Sequence, residues 1–146
     1  MKKSLLSLVL ISVFGLVFSG CTIKREVKPI QNMTDTNICI IKNDKVKGHF
    51  LESYVDTLEE LGYIVNVLPP YSQKDSCKIV STYTARKSWS ITTYMSYARI
   101  KVYEDSKLIG KAVYDARDGK GKVFDVHINA HEMTESLVED LFKKQY

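Results

Sequence analysis

Apolar residues change their spacing several times along the chain, and each spacing predicts a different element. The run from Leu5 to Phe18 is interrupted only by serines and one glycine. It is shorter than the roughly 20 residues that a transmembrane helix needs. Residues 22–36 show no sustained periodicity, and short apolar runs and helical spacings follow from residue 37 onward. The folded part is therefore expected to begin near residue 37.

The first half of this folded part predicts a strand, a helix and a second strand. Residues 37–42 and 63–68 are short apolar runs of the kind that forms buried strands. Between them, apolar residues recur at spacings of three and four, and Gly62 follows as a left-handed helix stop. Because a helix connects the two strands, we expect them to lie parallel.

The second half predicts three antiparallel strands and a final helix. Segments 78–87, 91–103 and 107–117 are rich in Val, Ile, Thr and Tyr, with short turn-like segments between them. Asn129, followed by Glu132, resembles a capping box at the start of the last helix. The whole order predicts an α+β fold: a two-layer sandwich with a mixed five-stranded sheet and two helices on one face.

The amino terminus has the parts of an export signal. Lys2 and Lys3 precede the apolar run, and residues 19–21, with the sequence Ser-Gly-Cys, end it. This end resembles the lipobox of bacterial lipoproteins, in which a leucine usually stands where this chain has Phe18. The resemblance implies cleavage before Cys21 and acylation of its sulfur and amino group, which would anchor the protein in membrane lipid. The alternative is an ordinary signal cut elsewhere, with Cys21 left as a free thiol.

The lipobox divides the chain into three expected parts. Residues 1–20 are the signal peptide, 21–36 a lipidated flexible tether, and 37–146 a single domain. In bacteria with two membranes, aspartate after the lipidated cysteine often retains lipoproteins at the inner membrane, and this chain has Thr22 there. We therefore expect the periplasmic face of the outer membrane, with the inner membrane as the alternative.

Charge and cysteine content narrow the function further. The chain has 21 basic and 17 acidic residues; losing residues 1–20 removes two lysines and leaves a net charge of +2. No block of five like charges suggests a nucleic-acid arm, so we expect no nucleic-acid partner. Cys39 and Cys77 are the two cysteines besides Cys21, and in an oxidising compartment an even pair predicts a disulfide. A reactive or metal-binding thiol is the alternative.

No set of residues makes a convincing catalytic, metal or cofactor site. His127 and His131 have the spacing of a zinc pair, but the predicted helix start at Asn129 leaves the first histidine outside the helix. Asp115 and Asp118 lack the alternating oxygen ligands of a calcium loop. The Gly-Lys-Gly-Lys sequence at 119–122 lacks the end of a phosphate-binding loop. We therefore expect no enzymatic activity and no cofactor.

An aromatic and basic surface remains as the candidate for binding. Alternate residues of the strand 91–103 would point away from the helices. These residues are Met95, Tyr97, Arg99, Lys101 and Tyr103, with Trp89 expected at the rim. Aromatic residues are enriched in binding patches, but they also pack across strands in cores, and this second interpretation stays open.

Two tracts, 82–89 and 96–103, together with the order of elements, are similar to those of an uncharacterised family of small proteobacterial lipoproteins. The resemblance implies no activity and no site. The sequence thus predicts a non-enzymatic, lipid-anchored envelope protein that docks a protein partner through the aromatic and basic face. The alternative is a periplasmic module that binds a glycan or another small ligand.

Overall fold

The computed structural model describes residues 23–89, 93–117 and 129–143. They form a mixed six-stranded sheet with two helices: β1 (Lys24–Lys28), β2 (Asn37–Ile41), α1 (Phe50–Glu60), β3 (Ile64–Leu68), β4 (Ile79–Trp89), β5 (Thr93–Glu104), β6 (Lys107–Asp115) and α2 (Ala130–Phe142). The strand order is β1-β6-β5-β4-β2-β3. Strand β2 runs parallel to β3 and β4, and the other neighbours are antiparallel. The predicted α+β class and mixed sheet are confirmed, with six strands instead of five.

The additional strand lies inside the segment that the sequence predicts to be a flexible tether. Strand β1 pairs along the edge of β6. Its Arg25 points to the helix side of the sheet, where one guanidinium nitrogen lies 2.5 Å from Asp140 Oδ2 and 2.8 Å from Ser136 Oγ of α2. Farther along, Ile30 is buried in the core. Much of the predicted tether is therefore part of the domain, because a charged side chain and a buried isoleucine fix it to the helix layer.

Helix α1 ends as its sequence predicts. Gly62 has a φ of +87°, which favours glycine. The N–H of Gly62 donates to Glu59 O at 2.9 Å, and the N–H of Tyr63 donates to Leu58 O at 3.0 Å. These two hydrogen bonds form a Schellman motif, which satisfies carbonyls at the helix end. The chain turns there and enters β3.

Helix α2 begins at the predicted cap. The side chain of Asn129 accepts a hydrogen bond from the N–H of His131 at 3.2 Å. A capping box would use the N–H of Glu132, one residue later. The cap therefore satisfies a different N–H group, and it fixes where the helix starts.

Both helices pack on one face of the sheet and share one hydrophobic core with it. Tyr54, Leu58 and Leu137 are fully buried there. Gly110 of β6 has no room for a side chain. A Cβ on it would overlap Ile30 and come close to the side chain of Leu141 in α2. Within the described ranges, no helix combines the length and the apolar character needed to cross a membrane.

Candidate docking face

Strand β5 presents alternate residues to opposite sides of the sheet. One set lies under the helices and is fully buried: Ala98, Ile100 and Val102. The intervening set lies on the other side, which we call the far face: Tyr97, Arg99, Lys101 and Tyr103. For these four residues, the side of the sheet agrees with the sequence pattern. Their exposure differs from one residue to the next.

Met95 is not on the far face, where the alternation predicts it. Its side chain is 6% exposed and belongs to the hydrophobic core. Arg86 of β4 pairs with Tyr97, and the next residue of β4, Lys87, pairs with Met95. One step along β4 thus corresponds to two steps along β5. Ser96 is therefore an extra residue in β5, a β-bulge, and one extra residue reverses the side to which the preceding side chains point. The predicted place of Met95 in the binding surface is wrong for this reason.

Tyr103 lies on the far face but is covered. Its side chain is 8% exposed, and Lys74 Nζ lies 4.2 Å from the centroid of its ring. Lys74 belongs to the segment between β3 and β4, which the predicted disulfide between Cys39 and Cys77 ties to β2. The disulfide is thus confirmed, and the predicted exposure of Tyr103 is corrected, because the tied segment lies over it.

Tyr97 is half-buried on the far face, against a guanidinium group. The guanidinium carbon of Arg117 lies 4.4 Å from the centroid of the Tyr97 ring. The same group binds Asp115 with Nε–Oδ1 and Nη2–Oδ2 distances of 2.8 and 2.6 Å. Hydrogen bonds from Arg117 lower the pKa of Asp115 to about 2. This part of the far face is therefore an ordered aromatic patch whose two neighbouring charges balance.

Three lysines stand side by side on the far face, across the edge strand β1 and its two neighbours β6 and β5. Lys101 of β5 pairs with Lys111 of β6, and Lys111 pairs with Lys28 of β1. We call these three residues the lysine row. Glu26 Oε1 lies 3.2 Å from Lys111 Nζ, whereas Lys28 and Lys101 form no ion pair with a residue that the structure describes. Exposed Arg99 adds a further positive charge beside the row.

Two of the predicted site residues stay predictions. Trp89 is the last residue of β4, and its backbone pairs with Thr93, but its side chain lies outside what the structure describes. Cys21 also lies outside the described residues. The expected position of Trp89 at the rim and the expected lipid on Cys21 are therefore not tested by the fold.

The histidine of α2 links the two helices. His131 Nδ1 lies 2.7 Å from Ser53 Oγ of α1, and its Nε2 lies 3.0 Å from Glu135 Oε1. His127 and residues 118–122, which belong to the weak metal and phosphate-loop patterns, lie outside the described residues. Among the residues that are described, no three His, Cys, Asp or Glu side chains are grouped so as to hold a metal ion.

Comparison with known proteins shows the fold alone. No family model and no curated protein matches the sequence. The structure is similar to the PelC dodecamer from Paraburkholderia phytofirmans, with 8% identity and a TM-score of 0.52 over 83% of this chain and 99% of that chain. A leucine-to-methionine variant of that dodecamer gives 7% identity and a TM-score of 0.52 over 84% and 100%. At such low identity, the similarity is one of architecture.

Proposed function

We propose that this chain is a non-enzymatic, lipid-anchored envelope protein that docks an acidic protein partner through the far face of its sheet. The observation that carries the proposal is the lysine row. Like charges directly opposite each other on neighbouring strands destabilise a sheet, and opposite charges stabilise it. Lys28 and Lys101 nevertheless face the same lysine, and neither forms an ion pair with a described residue, because Glu26, the acid beside Lys28, pairs with Lys111. An acidic surface laid over the row would neutralise both, so that repulsion in the free protein becomes attraction in the complex.

The residues beside the row suit a protein interface. Arg99 is exposed and pairs in register with Val113, and Tyr97 is held in place by Arg117. Arginine and tyrosine are enriched among the residues that contribute most to binding. A side chain that is already ordered also loses less freedom when a partner binds. The row would therefore attract an acidic partner, while its two neighbours supply contact area.

The short distance between the proposed anchor and the sheet limits where the partner can lie. Strand β1 begins at Lys24, only three residues after Cys21, and three extended residues span at most about 10 Å. An acylated Cys21 would hold the β1 edge of the far face close to the membrane. We propose that the anchor lies in the periplasmic leaflet of the outer membrane, with the inner membrane as the alternative. The partner would then also lie at the membrane surface.

Lipidation of Cys21 is the first prediction to test. We expect mass spectrometry of the mature protein to find Cys21 as the first residue, carrying a diacylglyceryl thioether and an N-acyl group. Cys21→Ser should remain uncleaved or appear in the soluble fraction, because the acyl chains provide the membrane binding. An unmodified mature terminus at another residue would show that the anchor is absent.

The docking face is tested by reversing its charge. A photo-reactive amino acid at Thr84, which pairs with Arg99 on the far face, should cross-link in cells to one envelope protein through a peptide rich in Asp and Glu. Arg99→Glu combined with Lys101→Glu should abolish the adduct. The melting temperature should not fall, since the new glutamate at position 101 would lie opposite Lys111 as an attractive pair.

Two controls make this result decisive. Lys107→Glu reverses one exposed charge at the β5–β6 turn and should leave the adduct intact, and a photo-reactive residue at exposed Glu139 of α2 should give none. An adduct that survives the double charge reversal would contradict docking through this face. The PelC structures are dodecamers, so an adduct with a second copy of this chain would replace the proposed partner with self-association.

A further inference from the structure

A cavity of about 720 Å³ lies on the helix side of the sheet, where α1 and α2 both begin. Small-molecule sites commonly have about this volume. Its apolar lining includes Phe50 and Met95, which are 4% and 6% exposed and continuous with the core, together with Ala85 and Ala130. The cavity therefore offers an apolar floor that a flat or branched hydrocarbon group can cover.

The cavity also has an excess of positive charge. Four basic residues line it: Lys45, Lys47, Lys87 and Arg86, the last of which pairs with far-face Tyr97 and so directs its side chain to the other side of the sheet. Two acids, Glu52 and Asp56, line it as well, and Glu52 already lies 2.6 Å from His49 Nδ1. None of the four basic residues forms an ion pair with a described residue. The three lysines of the lining thus outnumber the two acids, and a positive excess remains among the described residues.

The ammonium group of Lys87 lies beside the amino end of α1, where a positive charge is unfavourable. Lys87 Nζ is so close to Gly48 that a Cβ on the glycine would lie 2.5 Å away. Gly48 immediately precedes His49, the amino-terminal cap of α1, which makes no side-chain capping hydrogen bond. The amino end of a helix carries partial positive charge, so an ammonium group beside it adds like charge to like. An anion in the cavity would attract both.

The wall between the two helices is fixed. Ser53 of α1 is 4% exposed, and its hydroxyl lies 2.7 Å from the ring of His131 on α2. Thr134 is 1% exposed, and its hydroxyl donates to Ala130 O at 2.7 Å. The Ser53–His131 contact holds the two helix starts together, and the Thr134 bond lies within the first turn of α2, so the apolar floor and the basic rim keep their relative positions.

We infer that this cavity binds a small anionic molecule with an apolar body, the anion at the rim near Lys47 and Lys87 and the apolar part against Phe50 and Met95. The site is on the opposite side of the sheet from the lysine row and shares no residue with it. It can therefore be occupied whether or not the far face docks a partner.

Two fluorescent probes with the same aromatic body separate the two halves of the site. Anilinonaphthalenesulfonate carries an anionic group, and phenylnaphthylamine is the same ring system without it. We expect one sulfonate molecule to bind per chain, at least about tenfold more tightly than the neutral probe, because hydrogen bonds to charged groups are worth a factor of this size. Raising the salt concentration should weaken the sulfonate and leave the neutral probe unchanged.

Matched variants locate the site. Lys47→Glu combined with Lys87→Glu should weaken the sulfonate by about tenfold or more and leave the neutral probe unchanged. Arg99→Glu combined with Lys101→Glu makes the same change of charge on the far face and should leave both probes unchanged. If the first pair lowers the melting temperature, Lys45→Gln serves in its place and should weaken the sulfonate alone. Equal affinity for the two probes, or equal weakening by the far-face pair, would overturn the inference.

Discussion

Replacing Met95 by alanine is expected to lower the free energy of unfolding by about 2 to 5 kcal/mol, as removal of a large side chain from a core does. The residue is 6% exposed and packs within the cluster that both helices share. Truncation would remove packed atoms from the core and enlarge the cavity that Met95 and Phe50 line, since a packed interior closes only partly around lost atoms. Chemical denaturation followed by circular dichroism measures the change.

A second substitution in the same strand provides the comparison. Arg99 is exposed on the far face, so Arg99→Ala should change the free energy of unfolding by no more than about 0.5 kcal/mol. If Met95→Ala costs no more than this, then Met95 does not lie in the core and the alternation along β5 runs unbroken. A large difference between the two variants is what the β-bulge requires.

The bulge is the main reason why the sequence misplaces part of the binding surface. Alternation predicts the correct sides for residues 97 to 103, but it assumes that no residue is inserted. Ser96 breaks that assumption, and its hydroxyl donates to Arg86 O at 3.2 Å across the strand pair. Nothing in the local sequence marks the insertion, because its cause is the register with β4. The predicted single surface is consequently divided: Met95 lines the cavity, and Tyr97 stays on the far face.

Strand β1 is not predicted from the sequence, for a different reason. Four of its five residues are charged, so hydrophobic alternation cannot reveal it. The inward residue Arg25 is satisfied by Asp140, which follows it by more than a hundred positions in the chain. Elements whose inward residues are apolar, such as β2 with Ile38 and Ile40, are predicted within a residue or two of their observed bounds. Elements with apolar inward residues can be predicted from the sequence. An element such as β1, which a distant charged partner stabilises, cannot.

The lysine row could not be found from the sequence, because its members come from three strands. The pattern of their own strand predicts Arg99 and Lys101 on a basic surface. Lys28 belongs to the predicted tether, and nothing in the sequence around Lys111 assigns it to a binding surface. Only the register of β1, β6 and β5 brings these cations together. The fold therefore strengthens the basic part of the predicted surface and removes two of its large apolar members, Met95 and Tyr103.

Breaking the Cys39–Cys77 bond by Cys77→Ala is expected to lower the free energy of unfolding by about 2 to 5 kcal/mol, the range typical of losing a native disulfide. The two residues are separated by 38 positions, and closing a loop of that size removes about 4 kcal/mol of chain entropy from the unfolded state in the simplest treatment. Denaturant titration of the purified domain measures the loss. Adding a reductant to the unaltered protein should reproduce it.

The same variant should also uncover part of the far face. With the bond gone, the segment carrying Lys74 is no longer tied to β2, and amide exchange in β5 around Tyr103 should quicken by more than the global loss of stability accounts for. Ser76 is an exposed neighbour of the cysteine. Ser76→Ala should change the free energy of unfolding by no more than about 0.5 kcal/mol and should leave amide exchange around Tyr103 unaltered. Unaltered stability after Cys77→Ala would mean that the tie contributes nothing to the fold. Unaltered exchange at Tyr103 would mean that packing by Lys74, without the disulfide, is enough to keep that end of the face closed.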